Sequence, residues 1–394
     1  MTHIALVLFL AFLGGTFISK LRLPSMVGYI LAGALIGPGI LGLQGPTAEI
    51  QWLSELGIIL LLFLLGLEID IERFRSSMKT ALAATLWQVA LGLALMLPVA
   101  FYFDWSLPLG LILGFLVALS STAIAIGMLK DLGAQGTHTE RLATAILVAQ
   151  DILVVPMLLL VGAFGAGTPN AWALARVGFA LAVVVASMWA IFTLCRSPYW
   201  CERFGRLLSI GRKQPVIAGL AFCFGAAALT GALGLSTAYG AFMLGVLIGN
   251  MGAAGAPYRI AIEPIRDLLL MVFFLSIGLL LDVFFIIEHW IEIALLLGAV
   301  ILAKTILNIV ILRMLGVTDY RAYTLGAALA QVGEFGFVLI AAGLSSGFID
   351  RDGYQLALAV IALSLVVSPL WLGMVRSYLA YRHIYLSGTK PDVA

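Results

Sequence analysis

The sequence predicts an all-α polytopic membrane protein: 13 transmembrane helices, with spans 1–6 and 8–13 forming an inverted repeat and two helices broken at mid-span. Three observations carry this. First, 62% of the 394 residues are hydrophobic, 11% are charged and the mean hydropathy is +1.12. A soluble domain carries about 45–50% apolar and about 25% charged residues. Second, the apolar residues fall into windows of membrane-crossing length. Third, two halves of the chain repeat one another at a fixed offset.

The 13 windows are 3–19, 24–42, 50–68, 80–103, 107–128, 141–164, 171–194, 213–231, 235–251, 264–281, 290–314, 321–345 and 353–378. Each approaches the roughly 20 residues that a helix needs to cross about 30 Å of hydrocarbon. Met1-Thr2-His3 lacks the basic start of a cleaved secretory signal, so the first window reads as a retained span. With the N-terminus outside, 19 of the 22 Lys and Arg residues fall in inside loops or the tail. Arg176 and Arg351 remain outside, and Lys304 lies within a span. Cytoplasmic loops collect Lys and Arg, so the chain is expected N-out and C-in. One span more or fewer would scramble this split.

The repeat appears on comparing Leu23–Pro38 with Leu235–Asn250, 212 residues later: six of 16 positions are identical, including three glycines. The same offset aligns Gly66-Leu67 and Asp70 with Gly278-Leu279 and Asp282, and Leu153–Val155 with Leu365–Val367. It equals seven spans, an odd number, so the halves cross in opposite directions. The chain then divides into a first repeat at 1–170, a linker span and basic loop at 171–212, a second repeat at 213–380 and a tail at 381–394. Many secondary transporters are built this way, with the substrate near the midplane between repeats.

Asp151, in the run Ala145–Pro156, stands mid-span. A carboxylate there costs about 2.5–3.5 kcal/mol on insertion scales, which marks it as functional. It can hold a proton or a small cation, but not both well, and that competition is all an antiporter needs. Its neighbour Gln150 offers either a carbonyl ligand or a packing amide. Lys304 is the one mid-span cation, with Asn308 four residues on and so on the same helix face. It is too deep to reach the interface and should meet either a carboxylate or a carbonyl-rich helix break. Two spans look interrupted, at Ser120-Ser121-Thr122 and at Gln331-Val332-Gly333-Glu334, and the offset of 212 pairs Thr122 with Glu334. Unwound backbone at depth is tolerated only where protein or a cavity surrounds it. Half-helix ends there offer carbonyl oxygens for a cation, and Glu334 would balance a positive helix end. Close packing alone would also explain Ser120 and Ser121. Gln88 reads as a lone amide, and the stretch 258–267 as a solvated loop before span 10.

Other classes find little support. A net charge of +2 gives no reason to expect nucleic acid, and Cys195, Cys201 and Cys223 have no ligand or disulfide spacing. There is no H-E-x-x-H zinc motif, no aspartate dyad and no T-V-G-Y-G filter. No cofactor is called for, and an enzyme is not expected.

Taken together, Pro24–Gly33 with Gly37-Pro38, Gly66–Glu68, Leu119–Ala123, Gln150-Asp151, Phe273-Phe274 to Gly278, Lys304 and Gln331–Phe335 resemble the cation:proton antiporter-2 family. Within that family they resemble the Kef-type potassium/proton branch. The resemblance implies a homodimer in a bacterial cell (inner) membrane, with a mobile core that carries two crossed broken helices and moves like an elevator. It implies that Asp151 binds the ion and the proton, that Lys304 is the core lysine, and that Ser120–Thr122 and Gln331–Glu334 are the crossing breaks. Electrogenic members have two adjacent acids where this chain has Gln150-Asp151, so electroneutral K+/H+ exchange is implied. Na+/H+ exchange is the alternative. A gated K+ efflux channel or membrane sensor, and a sodium-coupled anion symporter, are further readings. Kef-type proteins usually continue into a cytoplasmic nucleotide-binding domain, which this sequence would need as a separate regulatory subunit.

Overall fold

A computed structural model describes residues 2–20, 25–37, 40–42, 48–69, 71–131, 137–164, 214–232 and 237–387, with isolated positions between 178 and 206. All regular structure among them is helical: α1 (Thr2–Lys20), α2 (Ser25–Ile36), α3 (Ala48–Glu68), α4 (Ile71–Tyr102), α5 (Leu107–Ala118), α6 (Thr122–Asp131), α7 (His138–Phe164), α8 (Pro215–Ala232), α9 (Thr237–Gly249), α10 (Ala256–Leu280), α11 (Val283–Glu288), α12 (Trp290–Met314), α13 (Asp319–Ala328), α14 (Phe335–Ser345) and α15 (Arg351–Ser387). Five carry uninterrupted apolar stretches long enough to cross a membrane: 77–102, 138–162, 215–232, 290–314 and 351–368. Most of the expected span 7 and of the basic loop, including Cys195 and Cys201, lies outside the described residues, as do Asp70 and the tail 388–394.

The helix order recurs at the offset found in the sequence. Adding 212 to the first residues of α2, α4, α5 and α6 gives 237, 283, 319 and 334, where α9, α11, α13 and α14 begin or lie one residue further on. Contacts nevertheless divide the chain into two compact units, each drawing on both halves. One holds Met1–Ile18, Gly28–Arg75 and Leu158–Leu281; the other holds Ser19–Val27, Ser76–Met157 and Asp282–Ala394.

In the first unit, α3 packs against α9 and α10, and α8 against both. The crossings are made by glycine. A Cβ on Gly278 would overlap the Ile30 carbonyl oxygen and lie 2.8 Å from Gly33 Cα, where α10 meets α2. A Cβ on Gly66 would overlap the Phe242 carbonyl oxygen and lie 2.7 Å from Val246 N, where α3 meets α9. Subtracting 212 from Gly278 gives Gly66, and from Phe242 gives Ile30, so one contact is made twice with the repeats exchanged. Small residues let membrane helices approach this closely.

The stretch 258–267 is not the solvated loop expected from its charges. It forms the first turns of α10, entered through Pro257 at the helix start, where a missing N–H costs nothing. Tyr258 and Ile262 are fully buried, packing with Cys223 and Leu60. Their burial outweighs the charges, which line the outer face. There Arg266 binds Glu68 (3.0 Å), Asp267 (3.0 Å) and Glu263 (3.4 Å). In the second unit, α12 packs against α13 and α15, and α5 against α12 and α14.

Gly278→Val is expected to destabilise the purified protein by about 1–3 kcal/mol through overpacking, visible as a lowered thermal midpoint in detergent. Gly298→Ala, where an added Cβ meets nothing within 4 Å, should not lower it.

Candidate functional site

Two helices stop and restart within the second unit. α5 ends at Leu119, whose backbone is extended (φ −84°, ψ 135°), and α6 begins at Thr122. Hydroxyl side chains offer the backbone local partners that compete with helix continuation. Ser121 uses this to start α6: its Oγ accepts from Ile124 N–H (3.5 Å) and its carbonyl from Ala125 N–H (3.0 Å). α13 stops at Leu329 and α14 starts at Phe335. The breaks touch, with Gly333 N–H donating to Leu119 O (3.2 Å). A Cβ on Gly333 would lie 2.7 Å from Ser120 O, so the crossing depends on glycine.

Each helix end leaves backbone groups without intrahelical partners, and hydrocarbon supplies none. Side chains meet this need. Lys304, 1% exposed, points Nζ at the C-terminal carbonyls of α5, Val117 O (2.7 Å), Leu119 O (2.6 Å) and Leu116 O (3.5 Å), and at Ser120 Oγ (3.3 Å). Of the two surroundings expected for it, the helix break supplies these contacts. At the end of α13, Leu329 O accepts from Ser120 Oγ (2.8 Å) and Asn308 Nδ2 (3.3 Å). Ser121 O accepts from Gln331 Nε2 (3.3 Å). The freed N–H groups are capped in the same manner in both repeats. Ser120 N–H donates to Gln150 Oε1 (3.0 Å) and Val332 N–H donates to Ser364 Oγ (3.2 Å). Positions 120 and 332 are 212 apart, although the capping residues differ in kind.

The acids sit at the N-terminal ends of the second half-helices. Thr122, first residue of α6, donates from Oγ1 to Asp151 Oδ2 (3.3 Å), and Asp151 is 2% exposed. Glu334 is the N-cap residue of α14. A cation at a C-terminus and acids at N-termini both complement the helix dipole. All nine residues singled out in the sequence — Ser120, Ser121, Thr122, Gln150, Asp151, Lys304, Asn308, Gln331 and Glu334 — therefore lie at or against the crossing. Gln331 Oε1 is buried and accepts from no donor among the described residues. The available ligands are carboxylate, hydroxyl, amide and carbonyl oxygens, a hard set. Among the described residues no three His, Cys, Asp or Glu cluster as a metal site.

The sequence reading missed Gln88, Ser364 and Trp371. Gln88 is not a lone amide: Oε1 accepts from Gln150 Nε2 (2.9 Å) and Nε2 donates to Asn308 Oδ1 (2.7 Å). Its partners are 62 and 220 residues away, a pairing no local pattern reveals. Ser364 was within reach, because the offset of 212 carries it to position 152, beside Asp151. Trp371 Nε1 donates to Thr305 Oγ1 (2.9 Å), tying α15 to α12 next to Lys304.

The family model for the transmembrane sodium/hydrogen exchanger matches residues 7–376. The chain belongs to the sodium/hydrogen exchanger family. It is 39% identical over 382 residues to the iron transporter MagA of Paramagnetospirillum magneticum, covering 95% of this chain and 86% of that protein. It is 30% identical over 352 residues to K(+) efflux antiporter 4 of Arabidopsis thaliana, covering 88% of this chain and 59% of the plant protein. The sodium/proton antiporter MjNhaP1 of Methanocaldococcus jannaschii has the same fold, with a TM-score of 0.70 at 17% identity over 95% of this chain and 97% of that one. The exchanger is therefore a multi-pass membrane transporter of the cation/proton antiporter class and not an enzyme.

Lys304→Met keeps an unbranched chain as far as Cε and removes the ammonium donor, which leaves Leu119 O only Gly333 N–H. Stranding buried acceptors costs about 1–3 kcal/mol each, so the variant should unfold at a clearly lower temperature than the wild type in detergent. An unchanged midpoint would show that the break does not depend on the lysine.

Proposed function

We propose that this exchanger carries out electroneutral K+/H+ antiport by alternating access, with Asp151 binding the cation and the proton in turn. The observation that carries the reading is the placement of Asp151: buried, bonded to Thr122 at the start of α6, beside a crossing of two broken helices. A monovalent cation would use the Asp151 carboxylate, the Thr122 hydroxyl and oxygens of the Ser120–Ser121 and Gln331–Glu334 breaks. Its departure leaves the carboxylate to take a proton. Gln150 is neutral and its oxygen is occupied by Ser120 N–H, so one charge is exchanged for one. Lys304 and Asn308 hold the half-helix ends. The choice of K+ over Na+ rests on the resemblance to the Kef-type branch and on the likeness to the plant K+ efflux antiporter.

The recurrence of helix bounds at 212 supports inverted repeats at 1–170 and 213–380. The Lys and Arg split supports an N-out, C-in orientation. A homodimer in the cell membrane, with a cytoplasmic regulatory subunit, completes the reading.

The test uses purified protein in liposomes loaded with a pH-sensitive dye and carrying an imposed proton gradient. K+, Na+, Li+, choline and Fe2+ are added in turn, with and without a voltage clamp. Potassium should dissipate the gradient irrespective of voltage, and Asp151→Asn should abolish this while inserting normally. Full activity in Asp151→Asn would sink the assignment. Sodium acting better than potassium would leave the exchanger and overturn the ion. Passive flux that a proton gradient cannot drive uphill would favour a channel.

A further inference from the structure

Gln88 lies on α4 and is 4% exposed. Three carboxamides run head to tail through it. Ser120 N–H donates to Gln150 Oε1 (3.0 Å), Gln150 Nε2 to Gln88 Oε1 (2.9 Å), Gln88 Nε2 to Asn308 Oδ1 (2.7 Å), and Asn308 Nδ2 to Leu329 O (3.3 Å). Ser120 Oγ donates to the same Leu329 oxygen (2.8 Å) and closes a ring. The chain begins at a backbone donor and ends at a backbone acceptor. Only one orientation of the three amides makes every bond, because turning any of them sets oxygen against oxygen and NH2 against NH2. The amide directions are dictated by the two helix breaks themselves.

This fixes what Gln150 can do. Its NH2 is held by Gln88 and its oxygen caps the first break, so Gln88 decides which way the neighbour of Asp151 faces. We propose that Gln88 is a positioning residue of the cation site: through Gln150 and Asn308 it holds Ser120 and Leu329 in register. It thereby holds the Ser120–Thr122 segment to which Asp151 is bonded. The proposal rests on the antiport reading given above. All three links are neutral amides, so the ring keeps its bonds whether Asp151 carries a proton or a cation. The ionisable groups around the breaks, among the described residues, are Asp151 and Glu334 on the α7 and α14 sides and Lys304 on α12.

The experiment compares wild type, Gln88→Met and Gln88→Glu in liposomes. Cation dependence is measured across pH and normalised to folded protein, and backbone hydrogen exchange is followed at 119–122 and 329–333. Methionine fills the volume but neither accepts from Gln150 nor donates to Asn308. Its apparent KM for the cation should rise about fivefold, within what one lost hydrogen bond supplies, with a smaller change in maximal rate and faster exchange at both breaks. A protonated glutamic acid reproduces both bonds of Gln88; once ionised it has no donor for Asn308. Gln88→Glu should therefore match wild type at acidic pH and approach the methionine variant as pH rises. A space-filling role predicts no such added pH dependence.

Wild-type KM and wild-type exchange at the breaks in both variants would overturn the proposal. Failure of both to fold would assign Gln88 to folding and overturn it equally. If the wild type exchanged no cation, the antiport reading would fail, while hydrogen exchange at the breaks would still decide whether Gln88 holds them.

Discussion

Two helices are interrupted inside a protein whose surroundings offer no hydrogen bonds, and everything near Asp151 answers that constraint. A continuous helix satisfies its own backbone; a broken one presents carbonyls at one end and N–H groups at the other, and in hydrocarbon each such group costs several kcal/mol if left alone. Here the breaks are laid across each other, so that Gly333 N–H serves Leu119 O directly. Others are met by side chains from three further helices, Gln150 on α7, Lys304 and Asn308 on α12, and Ser364 on α15, while Gln88 on α4 binds two of those side chains. Polar residues buried in the unit thus cluster where the backbone needs them. Asp151 sits among groups already held in place for another reason.

That arrangement separates two jobs that composition alone would merge. Most polar residues at the crossing are donors or acceptors matched to a backbone partner, and their geometry is complete without a substrate. The carboxylates of Asp151 and Glu334 and Gln331 Oε1 differ from them. The first two are ionisable; the third is an acceptor that no described donor meets. A transport site needs a few groups whose demand is met only by substrate, set in a frame whose own demands are met.

Much of this was legible in the chain. Hydropathy gave the membrane class, and the offset of 212 paired the two breaks, with hydroxyl residues in one opposite glycine and an acid in the other. Lys304 and Asp151 declared themselves by the cost of charge at depth. The failures have a common cause. The charges of 258–267 suggest a loop, yet Tyr258 and Ile262 have a core to bury against and the helix follows them inward. Gln88 has no partner nearby in sequence, yet its amide pairs with residues far off in the chain. Periodicity and charge are local properties, whereas partnership is a property of the fold.

The glycine crossings and the mixed parentage of the two units bear on how the chain is made. Neither half of the sequence can complete a unit by itself, since α2 needs α10 and α3 needs α9. A ribosome delivering this chain to the membrane has released α1 through α7 before any residue that can close the first unit exists. The Ser120 break waits longer still, for Leu329 and Gly333. Such long-range pairing is slow to form and leaves unpaired surfaces exposed in the interval. The early helices must therefore wait in the bilayer with the α5 carbonyls that Lys304 later binds still open.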